Sequence, residues 1–393
     1  MIEAPDQRYA IYDEMRRQRP VYYDAATKTF VLSRLADARA WLADPEQWKD
    51  ADRAEEGALV HTFKPADMNR PGERDAGIGW MDEPDHSRVR RPIQAALVKR
   101  VAAMKGEVDA VVQAQLDRLP PGGFDVVADY AMPIPIAVIG RVLGVDTADV
   151  ALFRGWSEAM QLAFEREPTE EMRRATKTAA IQFLEHLERL VAERRARPGD
   201  DLITDLIGVQ AATGALSDAE IRVNALNLIL GGNVTTGDLI ASGIHLLLRH
   251  PSELAKLRAD PSLIGAAVEE TLRFEPPAEG AQRVASRDLE LHGCPVKAHQ
   301  VVAVMSPAAN RDPAAFTDPH RFDISRREAP HITFGAGAHI CIGAPLARLE
   351  AKAAIWGLVE RFPNLALADP GAPAEWRPTG SSFHGLVRLP VRV

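Results

Sequence analysis

Cys341 sits in the segment Phe334-Gly335-Ala336-Gly337-Ala338-His339-Ile340-Cys341-Ile342-Gly343. Gly335 and Gly337 permit a tight turn with backbone angles that other residues avoid. A helical pattern starts just behind the cysteine near Ala344, with Pro345 in its first turn, where a missing N–H costs nothing. Free amides and the dipole at a helix start both favour a thiolate. The spacing predicts a loop that presents one anionic sulfur to a large partner, with Phe334 as a flat aromatic cover. An inert, buried thiol is the bland alternative. A zinc site built on His339 and Cys341 lacks further ligands at a usable spacing.

Three other groups carry chemistry. Glu270 and Arg273 are three apart in a helical pattern, which most often makes a surface pair worth a few tenths of a kcal/mol. His86 and Arg90 are four apart and share a helix face. Gly231-Gly232-Asn233-Val234-Thr235-Thr236 interrupts an otherwise strong helix, and each glycine costs on the order of 1 kcal/mol relative to Ala. Asn227, Gly231 and Thr235 fall on one face. Interior glycines of this kind mark either close packing, the commoner reading, or a functional distortion.

The elements that must position these residues are mostly helical. Ser217 with Glu220 three residues on has the form of a capping box. The helix it opens runs to about Arg249, before His250-Pro251, and spans about 48 Å at 1.5 Å per residue. Its apolar residues lie on most sides around Leu226 to Leu230, so it should run through the core. A second helix is predicted from about Pro261 to Phe274, ahead of Glu275-Pro276-Pro277. Strand candidates are few: 29–35, 283–293, 300–307 and 386–393. Residues 120–123 and 197–200 read as loops between helices. Residues 310–330 have little periodicity. No repeat is visible, and residues 1–393 are expected to form a single domain.

Composition narrows the class. Against 47 Lys and Arg stand 55 Asp and Glu, a net charge of −8, which argues against a general nucleic-acid binder. Two cysteines, Cys294 and Cys341, give no disulfide framework, and a cytoplasmic setting is the default expectation. The first twenty residues carry charge throughout and lack the apolar core of a signal peptide. No uncharged apolar run of membrane-spanning length occurs, so no membrane partner is expected.

With these residues in view, the chain resembles the cytochrome P450 family of the soluble bacterial type, along nearly its whole length from about residue 5. The family's FxxGxxxCxG loop is matched at Phe334, Gly337, Cys341 and Gly343. The resemblance implies a mostly α fold with small β-sheets, in which heme b lies between the long central helix and the helix after the cysteine loop. It makes Cys341 the axial iron ligand and Phe334 and Gly335 part of the cofactor-binding loop. His86, Arg90, Arg283 and His339 become contacts for the heme propionates. It turns Glu270 and Arg273 into a buried structural pair completed by a second arginine, expected to be Arg321. Gly231 and Gly232 let the long helix approach the cofactor, and Thr235 donates a hydrogen bond to dioxygen and holds a water.

Val234 departs from the family pattern, which has an acid at that position. Solvent water, Asn233 or Asp238 are the possible substitutes for proton delivery. By family position the substrate pocket is drawn from residues 58–78, the region of Leu162 and Phe164, then Asn227, Leu230, Ala278, Ala281 and Phe383. The activity implied is monooxygenation: one oxygen atom from O2 enters a small or medium hydrophobic substrate, by hydroxylation, epoxidation or dealkylation. Electrons are expected from a separate ferredoxin, or flavodoxin, with its NAD(P)H reductase, since 393 residues leave no room for a fused flavin domain. Arg88, Arg91, Lys99, Arg100, Arg348 and Lys352 are the expected docking cations for an acidic partner. A peroxygenase using hydrogen peroxide and a non-catalytic heme sensor or scaffold are the alternatives.

Overall fold

The long helix is the axis of the molecule. In the computed structural model, which describes residues 5–58, 77–145, 150–162, 169–328, 330–377 and 382–393, it runs unbroken from Asp218 to Arg249, 32 residues. Its capping box is formed: the Glu220 amide donates to Ser217 Oγ at 3.0 Å, and the Ser217 amide donates to Glu220 Oε2 at 2.8 Å. Most of its turns are buried, as an all-round apolar surface requires.

The glycines of this helix divide by position. A Cβ on Gly237 would come within 2.6 Å of Met132 Sδ, and one on Gly243 within 2.5 Å of Ile355 Cδ1. Those are the close-packing glycines. A Cβ on Gly231 or Gly232 would meet nothing within 4 Å among the described residues. Among the described residues nothing packs against Gly231 or Gly232, whereas Gly237 and Gly243 are close-packed.

Two helices that carry chemistry pack on the long one: Ile264–Phe274, preceded by a 3-10 turn at Pro261–Leu263, and Ala344–Arg361. The helix Asp85–Ala103 brings His86 and Arg90. A large apolar core joins these helices, and a second cluster lies between the helix Leu35–Ala43 and the main sheet.

The sheets are small, as expected. Four strands run in the order Val21–Asp24, Thr29–Leu32, Val301–Met305 and Gly280–Val284. The middle pair is parallel, with Thr29 opposite Val301, and the outer pairs are antiparallel. Gly280 is forced at its place, because a Cβ would sit 1.8 Å from the Val304 carbonyl. Gly123–Asp125, Pro390–Arg392 and Ala366–Leu367 form a second sheet, and Leu289–Leu291 with Cys294–Val296 a third. No described helix is long and apolar enough to cross a membrane.

Candidate active site

The cysteine loop is fixed from several sides. Gly335 and Gly337 both have positive φ, +75° and +70°. A Cβ on Gly337 would lie 2.7 Å from both Ala43 Cα and the Leu42 carbonyl, so only glycine lets the loop rest on that helix end. The Gly337–His339 segment is a short 3-10 turn, and the Cys341 amide donates to the Phe334 carbonyl at 2.8 Å. Cys341 is free and exposed. Enough protein surrounds its sulfur that burial pushes the thiol pKa up, against the pull of the Gly343 and Ala344 amides and the Arg90 and Arg348 guanidiniums. The donor set favours an anion, and a bound cation would complete it, since a metal deprotonates a coordinating thiol.

Phe334 does carry a neighbour on its face. The Arg348 guanidinium lies 4.5 Å from its ring centroid. Glu269 holds that guanidinium with two bonds, 2.6 Å from Nε and 2.9 Å from Nη2.

The Glu270–Arg273 pair is buried, not a surface pair. Arg273 donates to both carboxylate oxygens of Glu270, at 2.7 and 2.8 Å, and both side chains are 2–3% exposed. Its remaining donors reach the carbonyls of Asn310, Pro319 and Arg321. The second arginine on Glu270 is Arg326, with Nε 3.3 Å from Oε1. Arg321, expected in that role, contributes only its carbonyl; its side chain is 60% exposed and reaches Asp323. A turn in which Asp323 Oδ1 accepts the Ser325 amide and hydroxyl carries the chain back so that Arg326 faces inward.

Sequence reasoning missed the link from this network to the cysteine loop. The Asn310 side chain accepts from the Ile332 amide and donates to Thr333 Oγ1, both at 2.8 Å. Thr333 Oγ1 in turn donates to the Leu272 carbonyl at 2.7 Å. No periodic signal marks residues 310–333, so nothing in the pattern flagged either residue.

A cationic basin lies beside the loop. The His86 and His339 rings stack with centroids 4.0 Å apart. His86 Nε2 and His339 Nδ1 are buried without a hydrogen-bond partner among the described residues. Arg90, 8% exposed, donates to the Ile340 carbonyl, and Arg283 is 4% exposed. Burial first, then the charges of Arg283, His86, Lys49 and Arg90, push the His339 pKa down to about 2. Burial also brings Arg283 down to about 10, with only Asp82 opposing it. Crowded cations with orphaned donors fit a dianion such as a pair of heme propionates.

On the long helix, Thr235 Oγ1 donates to the Gly231 carbonyl at 2.6 Å, and Gly231 is exposed. The two side chains offered as acid substitutes are each engaged through one atom, and Asn233 Oδ1 and Asp238 Oδ1 have no hydrogen-bond partner among the described residues. Asn233 Nδ2 donates to Ser157 Oγ at 2.8 Å. Asp238 is fully buried, paired with Arg377, and its carboxyl pKa is pushed up to about 7 by burial despite that arginine. Val234 is buried.

Of the pocket residues, Ala278 and Phe383 face each other in an antiparallel bridge. Ala281 precedes Arg283 by two on the same strand. Asn227 packs on Gly77, where a Cβ would overlap its Nδ2, and that nitrogen has no partner. Leu230 belongs to the main core. Leu162 is half-buried. Residues 59–76 and Phe164 lie outside the described residues.

The comparisons with known proteins agree with this architecture. The cytochrome P450 family profile matches residues 160–369. The 6-deoxyerythronolide B hydroxylase of Saccharopolyspora erythraea is 36% identical over 394 residues, covering 98% of this chain and 96% of that one. The cytochrome P450 monooxygenase PikC of Streptomyces venezuelae is 37% identical over 367 residues, covering 90% and 83%. A solved structure of the myxobacterial cytochrome P450 CYP267B1 with myristic acid superposes with a TM-score of 0.88 at 33% identity, over 98% of this chain and 96% of that one. The chain belongs to the cytochrome P450 family. It is a cytochrome P450 monooxygenase of the bacterial type, and its cofactor is heme b.

Proposed function

We propose that the chain inserts one oxygen atom from O2 into a small or medium hydrophobic substrate, and that Cys341, Thr235 and the basin around His86, Arg90, Arg283 and His339 carry the work. The observation behind this is the accessible Cys341, held by a glycine turn and aimed at by two helix-start amides and two guanidiniums. Bound through that sulfur, the heme supplies oxygen activation, because a thiolate ligand favours O–O cleavage.

The chain's own residues position and protonate. The Glu270–Arg273–Arg326 network, through Asn310 and Thr333, holds the loop that carries Cys341. The Thr235 hydroxyl, which donates to the Gly231 carbonyl, is the proton-holding group of this reading. Val234 carries no proton and Asn233 Nδ2 is held by Ser157, so in this reading the proton reaches Thr235 from solvent water. Ala278 and Phe383 offer apolar contact, and Asn227 Nδ2 offers a polar handle without a partner among the described residues. Relatives are named for 6-deoxyerythronolide B, nocardicin C and pentalenic acid, so the substrate is identified by experiment. The two cysteines are free, in keeping with work in the reducing cytoplasm.

Electron supply from a separate acidic ferredoxin is part of this reading, with a smaller docking set than the sequence implied. Arg88 is bound to Asp85 and Glu220, Arg100 to Asp200 and Asp205, and Arg348 to Glu269. Arg91, Lys99 and Lys352 are exposed and make no ion pair among the described residues. The test is turnover with a ferredoxin and reductase while compounds are screened for a Soret shift. Replacing Arg91, Lys99 and Lys352 by Gln should raise the ferredoxin concentration needed for half-maximal rate and flatten its salt dependence. Unchanged kinetics in that triple variant would move the docking site elsewhere.

A further inference from the structure

The basin beside the cysteine loop contains a fifth basic side chain that the family pattern does not supply. Lys49 lies in a loop pinned on both sides. Its neighbour Trp48 pairs with Val284, the amide of each donating to the carbonyl of the other at 3.0 and 2.8 Å. Val284 follows Arg283 on the edge of the main sheet. On the other side, the Lys49 amide donates to Asp82 Oδ1 at 2.6 Å and the Asp50 amide to Oδ2. The Asp82 carbonyl accepts from the His86 amide at 2.9 Å. The loop is thus stitched between the strand of Arg283 and the helix start of His86, and the Lys49 ammonium feels the Arg283 charge across it.

Nothing among the described residues neutralises it there. The Lys49 ammonium makes no hydrogen bond or ion pair with them. Asp82, the one carboxylate nearby, is occupied by the Lys49 and Asp50 amides and by Arg53 Nε at 3.3 Å. Burial, then Arg283, bring the Lys49 pKa down to about 7, with Asp82 opposing. His339 feels Lys49 together with Arg283, His86 and Arg90. Gathering Lys49, Arg90 and Arg283 around two buried imidazoles with orphaned nitrogens is unfavourable unless an anion joins them.

We infer that Lys49 is an additional propionate-binding residue of this chain, placed by the Trp48–Val284 and Asp82 contacts to close the basin over a heme carboxylate. The inference rests on the propionate placement proposed above. A positive charge here should slow heme loss and raise the reduction potential, because it stabilises the propionate and favours the more electron-rich form of the cofactor.

The experiment compares wild type, Lys49→Met, Lys49→Gln and Lys49→Arg. Heme transfer to excess apomyoglobin and the midpoint potential are the readouts, with circular dichroism to check folding. Both neutral variants are expected to lose heme several-fold faster and to have a more negative potential, and Lys49→Arg to restore both. Neutral variants that fold and match wild type in both readouts would overturn the inference, as would a defect that Arg does not repair. If wild type itself took up no heme, the cofactor assignment would fall instead, which keeps the two failures distinct.

Discussion

Arg326 Nε lies 3.3 Å from Glu270 Oε1, while the Arg321 side chain five residues earlier points to solvent. The two arginines differ in consequence. Removing Arg326 leaves a buried carboxylate short of one partner, and breaking such an arrangement costs on the order of 3 kcal/mol. Arg326→Met is expected to lower the melting temperature and the heme content of the purified protein. Arg321→Met should stay within about 0.5 kcal/mol of wild type, as exposed positions usually do. Equal effects in thermal unfolding would return Arg321 to the network.

Thr235 is the proton-holding group in this account, and Asn233 is not. Thr235→Ala should keep NAD(P)H consumption but divert it to peroxide, so that product formed per electron falls several-fold. Asn233→Ala should leave that ratio unchanged. The comparison needs only product, peroxide and NAD(P)H measured in the same reaction. A Thr235→Ala ratio equal to wild type would remove the hydroxyl from proton delivery.

Two sets of carboxyls respond to pH in opposite senses. Glu275 is pushed down to about 2: burial raises it, but His384, Arg311 and Arg8 more than reverse that. Its depressed pKa stabilises the fold above the ordinary value of 4.5, and that contribution is lost as pH falls from there toward 2. Asp238 is raised to about 7 from 3.8, so its contribution is present below 3.8 and is lost as pH rises through 7. Melting temperature against pH should therefore fall at the acid end. Glu275→Gln should flatten the acid limb, and Asp238→Asn the slope between about 4 and 7. Unchanged slopes in both variants would contradict these environments.

What the sequence made legible follows from how each signal is encoded. The long helix, its Ser217 cap and the helix after Cys341 rest on local periodicity and capping, which act within a few residues. The Cys341 turn is equally local, because Gly335 and Gly337 report backbone angles directly. Arg326, Asn310 and Thr333 lie in a stretch held by side-chain-to-backbone bonds with no period, so family position pointed to the wrong arginine. Lys49 was invisible because its place depends on contacts to residues 82 and 284, far along the chain. The ion pairs of the expected docking cations were hidden for a related reason. Arg88, Arg100 and Arg348 look free until the fold brings Glu220, Asp205 and Glu269 to them.

Carbon monoxide binding to the dithionite-reduced protein tests the axial Cys341 thiolate most directly. The reduced complex is expected to show the long-wavelength Soret band characteristic of this family, and Cys341→His to lose it while keeping the pigment. A wild-type complex absorbing where imidazole-ligated hemes do, with Cys341 intact, would contradict the account at its base.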